Sequence, residues 1–197
     1  MKHARREQYH HGDARNALLN AAASLVEAVG AQGLSLRQVA GQAGLSRQAP
    51  YNHFANKEAL LAELVRVGYE RLASRLRGVK GYPRGASALE GAADAYIGFA
   101  QGAPALFRLM FSRELVDQSR FPAAAEAASK AYECLVVIVA TLVRPEHVKE
   151  LSLAAWCLVH GYATLCLEKG LEKESRRPRR ARLFAQILAS HIARLKA

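Results

Sequence analysis

Residues 34–60 read LSLRQVAGQAGLSRQAPYNHFANKEAL, and this stretch decides the fold. Ser35 and the glutamine three residues later have the spacing of a capping box, in which each side chain satisfies the other's backbone donor. Gly44 then permits a sharp turn, because glycine tolerates a positive φ. We expect Ser46 to cap a second short helix over 46–54. Two short helices joined in this way are typical of a helix-turn-helix, whose second helix enters the major groove of DNA.

The predicted second helix has a polar surface. Its polar or amphipathic residues are Arg47, Gln48, Tyr51, Asn52 and His53, whereas it buries only Ala49, Pro50 and Phe54. An arginine can reach guanine O6 and N7, and a glutamine or asparagine can pair with adenine. Tyrosine and histidine suit phosphate oxygens or a thymine methyl group, and Lys57 adds charge to backbone donors aimed at a phosphate. A solvated polar face is the alternative interpretation, and without the turn it would be preferred.

Helical periodicity continues along the rest of the chain, and no stretch alternates at period two. Helices are predicted at 13–30, 57–77, 86–102, 104–113, 121–143, 145–168 and from Pro178 onward. The fold class is therefore all-α. A cluster of glycines and a proline at 78–85 marks the boundary between domains. The predicted organisation is a flexible basic arm (1–12), a helix-turn-helix domain (13–56), a connecting helix (57–80) and a larger C-terminal domain (81–197).

The chain is strongly basic. Its 197 residues contain 28 Lys and Arg against 17 Asp and Glu, which gives a formal net charge of +11. Such a charge indicates a polyanionic partner, although colloidal solubility alone is the alternative. The basic arm could follow a phosphate backbone or enter a minor groove, or could have no specific role. A second basic cluster, Arg176–Arg182, is interpreted as a solvated loop, with a polyanion or an acidic partner as the alternative.

The cysteines and histidines do not predict a metal site or a catalytic pair. Cys157 and His160 are three residues apart in an apolar helix, without further converging ligands or an orienting acid. The three cysteines are odd in number and follow no secretory signal, so we expect a reducing cytoplasm. The longest apolar run, Cys134–Val143, is about half the length of a membrane span, which excludes a membrane partner.

The sequence resembles the tetracycline-repressor (TetR) family over residues 9–77. The residues that carry the resemblance are Tyr9-His10-His11-Gly12-Asp13, Leu34-Ser35-Leu36-Arg37-Gln38-Val39-Ala40, Ala43-Gly44-Leu45-Ser46 and Ala49-Pro50-Tyr51-Asn52-His53-Phe54-Ala55-Asn56-Lys57-Glu58-Ala59-Leu60. The C-terminal part resembles one subgroup of the family. That resemblance rests on Trp156-Cys157-Leu158-Val159-His160-Gly161 and Phe107-Arg108-Leu109-Met110-Phe111.

The resemblance implies a homodimeric, non-enzymatic transcriptional regulator, usually a repressor, that binds double-stranded operator DNA and needs no cofactor. The implied DNA-binding residues are Ser35, Arg37, Ser46, Arg47, Gln48, Tyr51, Asn52, His53 and Lys57. The family builds its dimer from the last two helices, here about 145–169 and 178–195. Two-fold symmetry also follows from the DNA argument, because one short helix reads too few bases.

The resemblance also implies a pocket for a small, largely apolar effector in the C-terminal domain. The candidate lining residues are Tyr96, Phe99, Phe107, Met110, Phe111, Tyr132, Trp156 and His160. An aromatic stripe at helical spacing is, however, more often plain core than the lining of a pocket. Two other functions therefore stay open: a constitutive DNA-binding protein without an effector, and a ligand-binding or catalytic helical protein with a vestigial helix-turn-helix.

Overall fold

A computed structural model describes residues 2–168 and residue 186, including the side chains of 14–168 and 186. Within these residues the chain is all-helical and has no strand, as predicted. The α-helices are α1 (Lys2–Gly33), α2 (Leu36–Gln42), α3 (Lys57–Arg77), α4 (Ala86–Gly102), α5 (Pro104–Phe111), α6 (Pro122–Ala140) and α7 (Pro145–Leu167). Two 3₁₀ turns cover Ala49–Asn52 and Gln118–Arg120. The predicted helix at 178–195 lies outside the described residues, apart from residue 186.

Helix α1 is longer at both ends than the sequence pattern predicts. It begins at Lys2 rather than at Asp13, so residues 2–12 of the predicted basic arm have a helical backbone. The alanine, arginine, glutamate and glutamine residues of this segment are good helix formers, which accounts for the difference. At Gly30 the backbone leaves the helical region, with φ 76° and ψ 158°, and a last helical turn continues to Gly33. The predicted end at Gly30 is thus a kink.

The capping box at Ser35 is confirmed, whereas the cap predicted at Ser46 is wrong. The Ser35 backbone donates to Gln38 Oε1 over 2.9 Å, and the Gln38 backbone donates to Ser35 Oγ over 3.3 Å. Gly44 makes the turn at φ +67°, as expected. The predicted helix over 46–54 is only a 3₁₀ turn, Ala49–Asn52, without a side-chain cap. Pro50 explains the shortening, because a proline disfavours α-helical backbone at the preceding residue.

The chain divides into two compact units, residues 1–68 with 105–125 and residues 69–104 with 126–197. The predicted boundary at 78–85 lies inside the second unit. In the first unit α2 packs on α1, and both helices contact the 3₁₀ turn Ala49–Asn52. The fully buried side chains of this unit include Leu18, Val26, Val39, Leu60, Val65, Leu109 and Met110. In the second unit α4 packs on α7.

Helix α5 contacts other helices of the first unit near both of its ends. The Glu27 carboxylate accepts hydrogen bonds from the backbone of Ala105 (3.0 Å) and Leu106 (2.9 Å), which caps the start of α5. Farther along, Met110 lies against Gly68 so closely that an added Cβ would be 2.7 Å from Met110 Sδ. Any side chain at Gly68 on α3 would therefore force Met110 to shift.

Glu63 makes two short ion pairs in the first unit. Its Oε1 lies 2.7 Å from Arg15 Nη2 and 2.6 Å from Arg66 Nη2. The hydrogen bond from Arg66, followed by that from Arg15, lowers the pKa of Glu63 below its ordinary value of 4.5 despite partial burial. The carboxylate therefore stabilises the fold above about pH 4.5, and this contribution is lost as the pH falls through the lowered pKa.

We expect Glu63→Gln to lower the free energy of unfolding by about 1 kcal/mol at neutral pH, because two arginines lose their anionic partner. Urea unfolding from pH 7 to pH 3 should show the two proteins converging below about pH 4.5. Glu126→Gln is the matched control, since Glu126 pairs with Lys130 on a surface where both side chains are more than half exposed. A constant difference between Glu63→Gln and wild type over the whole pH range would contradict the assignment.

Candidate DNA-binding surface and effector cavity

The 3₁₀ turn and the residues beside it bury two side chains and present others to solvent. Pro50 and Phe54 are buried, and the guanidinium of Arg15 lies 5.6 Å from the Phe54 ring centroid. Seven of the predicted DNA-binding residues are exposed: Ser35, Arg37, Ser46, Arg47, Gln48, Tyr51 and Asn52. Tyr51 is 54% exposed, which is unusual for a large aromatic side chain. The surface thus offers hydrogen-bonding and aromatic groups that the chain itself does not cover.

The two exposed arginines are available to an anion. Neither Arg37 nor Arg47 has an ion-pair partner within the part of the chain that the structure describes. Arg37 lies in the first turn of α2, and Arg47 lies just before the 3₁₀ turn Ala49–Asn52. The combination suits contacts to phosphate and base edges.

His53 and Lys57 differ from the exposed residues because both are half-buried. The His53 ring lies 6.4 Å from that of Phe54. Lys57 Nζ donates to the backbone carbonyl of Gln32 over 2.7 Å, so it joins the start of α3 to the end of α1. This structural contact was not anticipated from the sequence, which predicts a phosphate contact for Lys57.

The second unit contains a cavity of about 60 Å³ between helices α3, α4, α6 and α7. Its wall is formed by Tyr69, Leu72, Leu76, Leu89, Ala92, Ala93, Tyr96, Ala128, Ala131, Tyr132, Leu135, Ala155, Trp156, Leu158 and Val159. Four of these residues are aromatic, and Tyr132 stacks against Trp156 with ring centroids 4.7 Å apart. The wall is thus apolar and rich in aromatic rings, as is usual for small-molecule sites.

The cavity contains only part of the predicted pocket. Tyr96, Tyr132 and Trp156 line it, and His160 contacts it through Tyr96. The structure places Phe99, Phe107, Met110 and Phe111 outside the wall. Phe99 is buried beneath the Arg75 guanidinium, and the other three lie on α5 in the first unit, where Phe107 and Phe111 pack together.

Sequence reasoning also missed the contribution of α3 to the cavity. Tyr69, Leu72 and Leu76 follow one another at spacings of three and four residues, which is the signature of a single buried helix face. That signal was visible in the sequence. It indicates burial, however, and it does not distinguish the wall of a cavity from solid core.

A polar pair lies at the apolar wall. The Tyr96 hydroxyl is 2.9 Å from His160 Nδ1, and which of the two groups donates depends on the histidine tautomer. Burial raises the pKa of Tyr96 and lowers the pKa of His160. Both shifts favour the uncharged forms.

Helix α7 is apolar on two sides, and the part of the chain that the structure describes covers only one of them. Ala155, Tyr162, Ala163 and Cys166 are buried, whereas Leu153, Leu158 and Leu165 are exposed large hydrophobic residues. Among the described helices, α7 is long and apolar enough to span a membrane by length and composition, yet a buried helix can pass the same test. Only 28% of the most apolar 18-residue stretch of α7 is buried. Burial within the subunit therefore does not explain the apolar residues on its exposed face.

Within the described residues, no group of three His, Cys, Asp or Glu side chains could hold a metal ion. Cys134 and Cys166 are buried and Cys157 is exposed, and all three are free thiols. The DNA-binding surface and the cavity are therefore the two candidate functional sites within the described residues.

Solved structures share the fold over nearly the whole chain. A protein of unknown function from Rhodococcus sp. RHA1 is 28% identical and has a TM-score of 0.73, with 94% of this chain and 96% of that chain covered. The TetR family transcriptional regulator PfmR from Thermus thermophilus is 20% identical, with a TM-score of 0.64 and coverage of 90% and 97%. A TetR family transcription regulator from Marinobacter aquaeolei is 19% identical, with a TM-score of 0.68 and coverage of 92% and 97%.

The comparison with curated proteins gave no match. Two protein families match the chain, one in its N-terminal part and one in its C-terminal part. Residues 18–64 match the family described as "Bacterial regulatory proteins, tetR family". Residues 89–191 match the family described as "Tetracyclin repressor-like, C-terminal domain". Proteins of this kind are DNA-binding regulators and not enzymes. The chain therefore belongs to the TetR family of transcriptional regulators.

Proposed function

We propose that the protein is a cytoplasmic repressor that binds a palindromic operator as a homodimer and is released by a small, largely apolar effector. The observation that carries the proposal is the pairing of two features in one chain. An uncovered, basic and aromatic surface surrounds the 3₁₀ turn Ala49–Asn52, and an apolar cavity lies in the other unit.

The DNA-binding part of the proposal rests on the exposed side chains. Arg47, Gln48 and Asn52 supply donors and acceptors that match base edges, while Tyr51 and Arg37 suit the phosphate backbone. Ser35 precedes α2, and Ser46 lies in the turn that joins α2 to this surface. A surface of this kind on one subunit reads only a few base pairs, so specific binding requires a second copy.

The uncovered face of α7 supports the homodimer. Ala154, Leu158, Gly161 and Leu165 repeat at spacings of four, three and four residues, which places them in one line along the helix. A Cβ added at Gly161 would meet nothing within 4 Å, so another helix could approach closely there. A second α7 related by two-fold symmetry would cover this line. The predicted contribution of 178–195 lies outside the described residues.

The cavity favours an effector-controlled regulator over a constitutive DNA-binding protein. Helix α3 carries Leu60 and Leu64 in the core of the first unit, and Tyr69, Leu72 and Leu76 in the wall of the cavity. A ligand that shifts α3 would change the separation of the two recognition surfaces, which must match one turn of DNA, about 34–36 Å. A ligand that prefers the mismatched state about 100-fold would disfavour DNA binding by about 2.7 kcal/mol.

The proposal is tested by selecting genomic fragments that bind the full-length protein and titrating the selected sequence by fluorescence anisotropy. We expect a palindrome bound at least about 1,000-fold more tightly than a scrambled duplex of equal length. Equal affinity for both duplexes would refute the proposal that the protein recognises a palindromic operator. A bound cavity ligand that leaves operator affinity unchanged would refute effector control and leave DNA binding intact.

Lys57→Ala separates a structural role from a phosphate contact. Loss of the bond to the Gln32 carbonyl should lower the free energy of unfolding by about 0.5–1.5 kcal/mol. If Lys57 also contacts a phosphate, the salt dependence of operator binding should become shallower by about one unit per subunit. An unchanged salt slope with reduced stability would restrict Lys57 to the structural role.

A further inference from the structure

The wall of the cavity carries no formal charge. Every residue that lines it is an aliphatic or aromatic residue, and no carboxylate, ammonium or guanidinium group is among them. A charged ligand would therefore lose its hydration without gaining an ionic partner, which is a large cost in an apolar environment. The aromatic rings offer a cation–π attraction of about 2 kcal/mol or more when desolvated, which is still less than the cost of burying an unpaired charge.

One polar pair at the wall is already hydrogen-bonded. The Tyr96 hydroxyl lies 2.9 Å from His160 Nδ1. An apolar ligand therefore leaves this hydrogen bond intact. A ligand with a strong hydrogen-bonding group would have to compete with it.

The volume of the cavity limits the size of the ligand. One water molecule requires roughly 10–15 Å³ on this measure, and the cavity measures about 60 Å³. The space thus corresponds to about four to six water-sized groups. A single six-membered ring fills such a space. Because the cavity is partly open, a short substituent can extend from it, whereas most of a large multi-ring compound would stay outside.

We propose that the cavity selects an uncharged, apolar molecule of about one substituted aromatic ring, and that the hydrogen bond between Tyr96 and His160 enforces this selection. The inference rests on the proposed effector site and adds the chemical class of the ligand. Affinity here comes from burial of apolar area and contact with the aromatic rings of Tyr132 and Trp156.

The chain contains one tryptophan, and it lines the cavity, so its fluorescence reports occupancy directly. Three probes of nearly equal shape separate the possibilities: ethylbenzene, benzyl alcohol and benzylammonium. We expect ethylbenzene to change the fluorescence saturably and benzylammonium to bind at least about 100-fold more weakly. Benzylammonium binding as tightly as ethylbenzene would overturn the proposal in favour of a cationic ligand, and failure of ethylbenzene to bind would overturn it outright.

A filled cavity provides the structural control. Ala128→Leu places a larger side chain in the wall and should weaken ethylbenzene binding at least about 10-fold. Ala123→Leu makes the same change at an exposed position of α6 and should leave binding unchanged. Equal binding by both variants would place the probe outside the cavity and overturn the assignment. The probe series on the wild-type protein keeps the proposal testable if Ala128→Leu fails to fold.

The role of this hydrogen bond is tested by Tyr96→Phe, which removes the hydroxyl and its bond to His160 Nδ1. We expect the affinity for benzyl alcohol relative to ethylbenzene to rise about 5–10-fold, because the alcohol hydroxyl can take the place of the phenol beside His160. An unchanged ratio would overturn the role of the hydrogen bond. All these measurements are made without DNA, so their failure is distinct from failure of the proposed regulator function.

Discussion

Arg47→Ala is expected to lower operator affinity at least about 30-fold while leaving the fold intact. A bidentate arginine–guanine contact contributes about 1–3 kcal/mol, and a homodimer would lose two such contacts. Arg47 is exposed and has no ion-pair partner within the described residues, so its removal should not change the free energy of unfolding measurably. The variant thus isolates recognition from stability.

Anisotropy titrations against the selected palindrome and a scrambled duplex measure the effect. Base recognition predicts that Arg47→Ala loses affinity mainly for the palindrome and so reduces the ratio between the two duplexes. Arg84→Ala is the matched control, because Arg84 is an exposed arginine outside the helix-turn-helix. If both variants lose affinity equally for both duplexes, Arg47 supplies only charge and the proposed base contact is wrong.

Tyr51 provides a second, independent readout of the same surface. Its ring is 54% exposed, so truncation to alanine removes few contacts within the subunit. A comparison of Tyr51→Phe with Tyr51→Ala distinguishes a hydroxyl–phosphate bond from packing of the ring against a thymine methyl. Loss in both variants identifies the hydroxyl, and loss in the alanine variant alone identifies the ring.

Local signals in the sequence were sufficient for most helix ends. The capping box at Ser35 and the glycine turn at Gly44 were both predicted from neighbouring residues. The prediction failed where two local preferences compete. Ser46 is a good cap, but Pro50 restricts the backbone before it, and the outcome is a 3₁₀ turn.

The cavity was harder to predict than the helices, because periodicity identifies a buried face but not the core in which it is buried. Phe107 and Met110 form an apolar face as convincing as that of Tyr96. They pack in the first unit because the Glu27 carboxylate and Gly68 hold α5 there, and these partners are distant in sequence. No local pattern encodes such a contact, so the predicted pocket mixed two cores.

Helix α7 illustrates the same limit in a different form. It is apolar around its circumference, and from the sequence alone this is compatible with a core helix, a helix in an interface or a membrane span. The structure distinguishes the two faces of α7 by showing which side its own subunit covers. Substitutions in the line of small and apolar residues on the other side can therefore test whether a second subunit binds there.

Leu165→Glu is expected to convert the protein into a folded monomer. Leu165 is 51% exposed within the subunit, so a glutamate there is solvated and the subunit should keep its helical content. In a symmetric α7 interface, two unpaired carboxylates would be buried close to each other. We expect dimerisation to weaken at least about 1,000-fold, since each uncompensated buried charge costs several kcal/mol.

Sedimentation velocity over a range of micromolar concentrations measures the change. Val29→Glu is the control, because Val29 is an equally exposed valine on α1, away from the line on α7. Operator binding by Leu165→Glu should collapse toward the affinity of the scrambled duplex, because a single recognition surface cannot contact both half-sites at once. A variant that stays dimeric would place the subunit contact elsewhere, and a monomer that binds the palindrome at full strength would remove the need for two-fold symmetry.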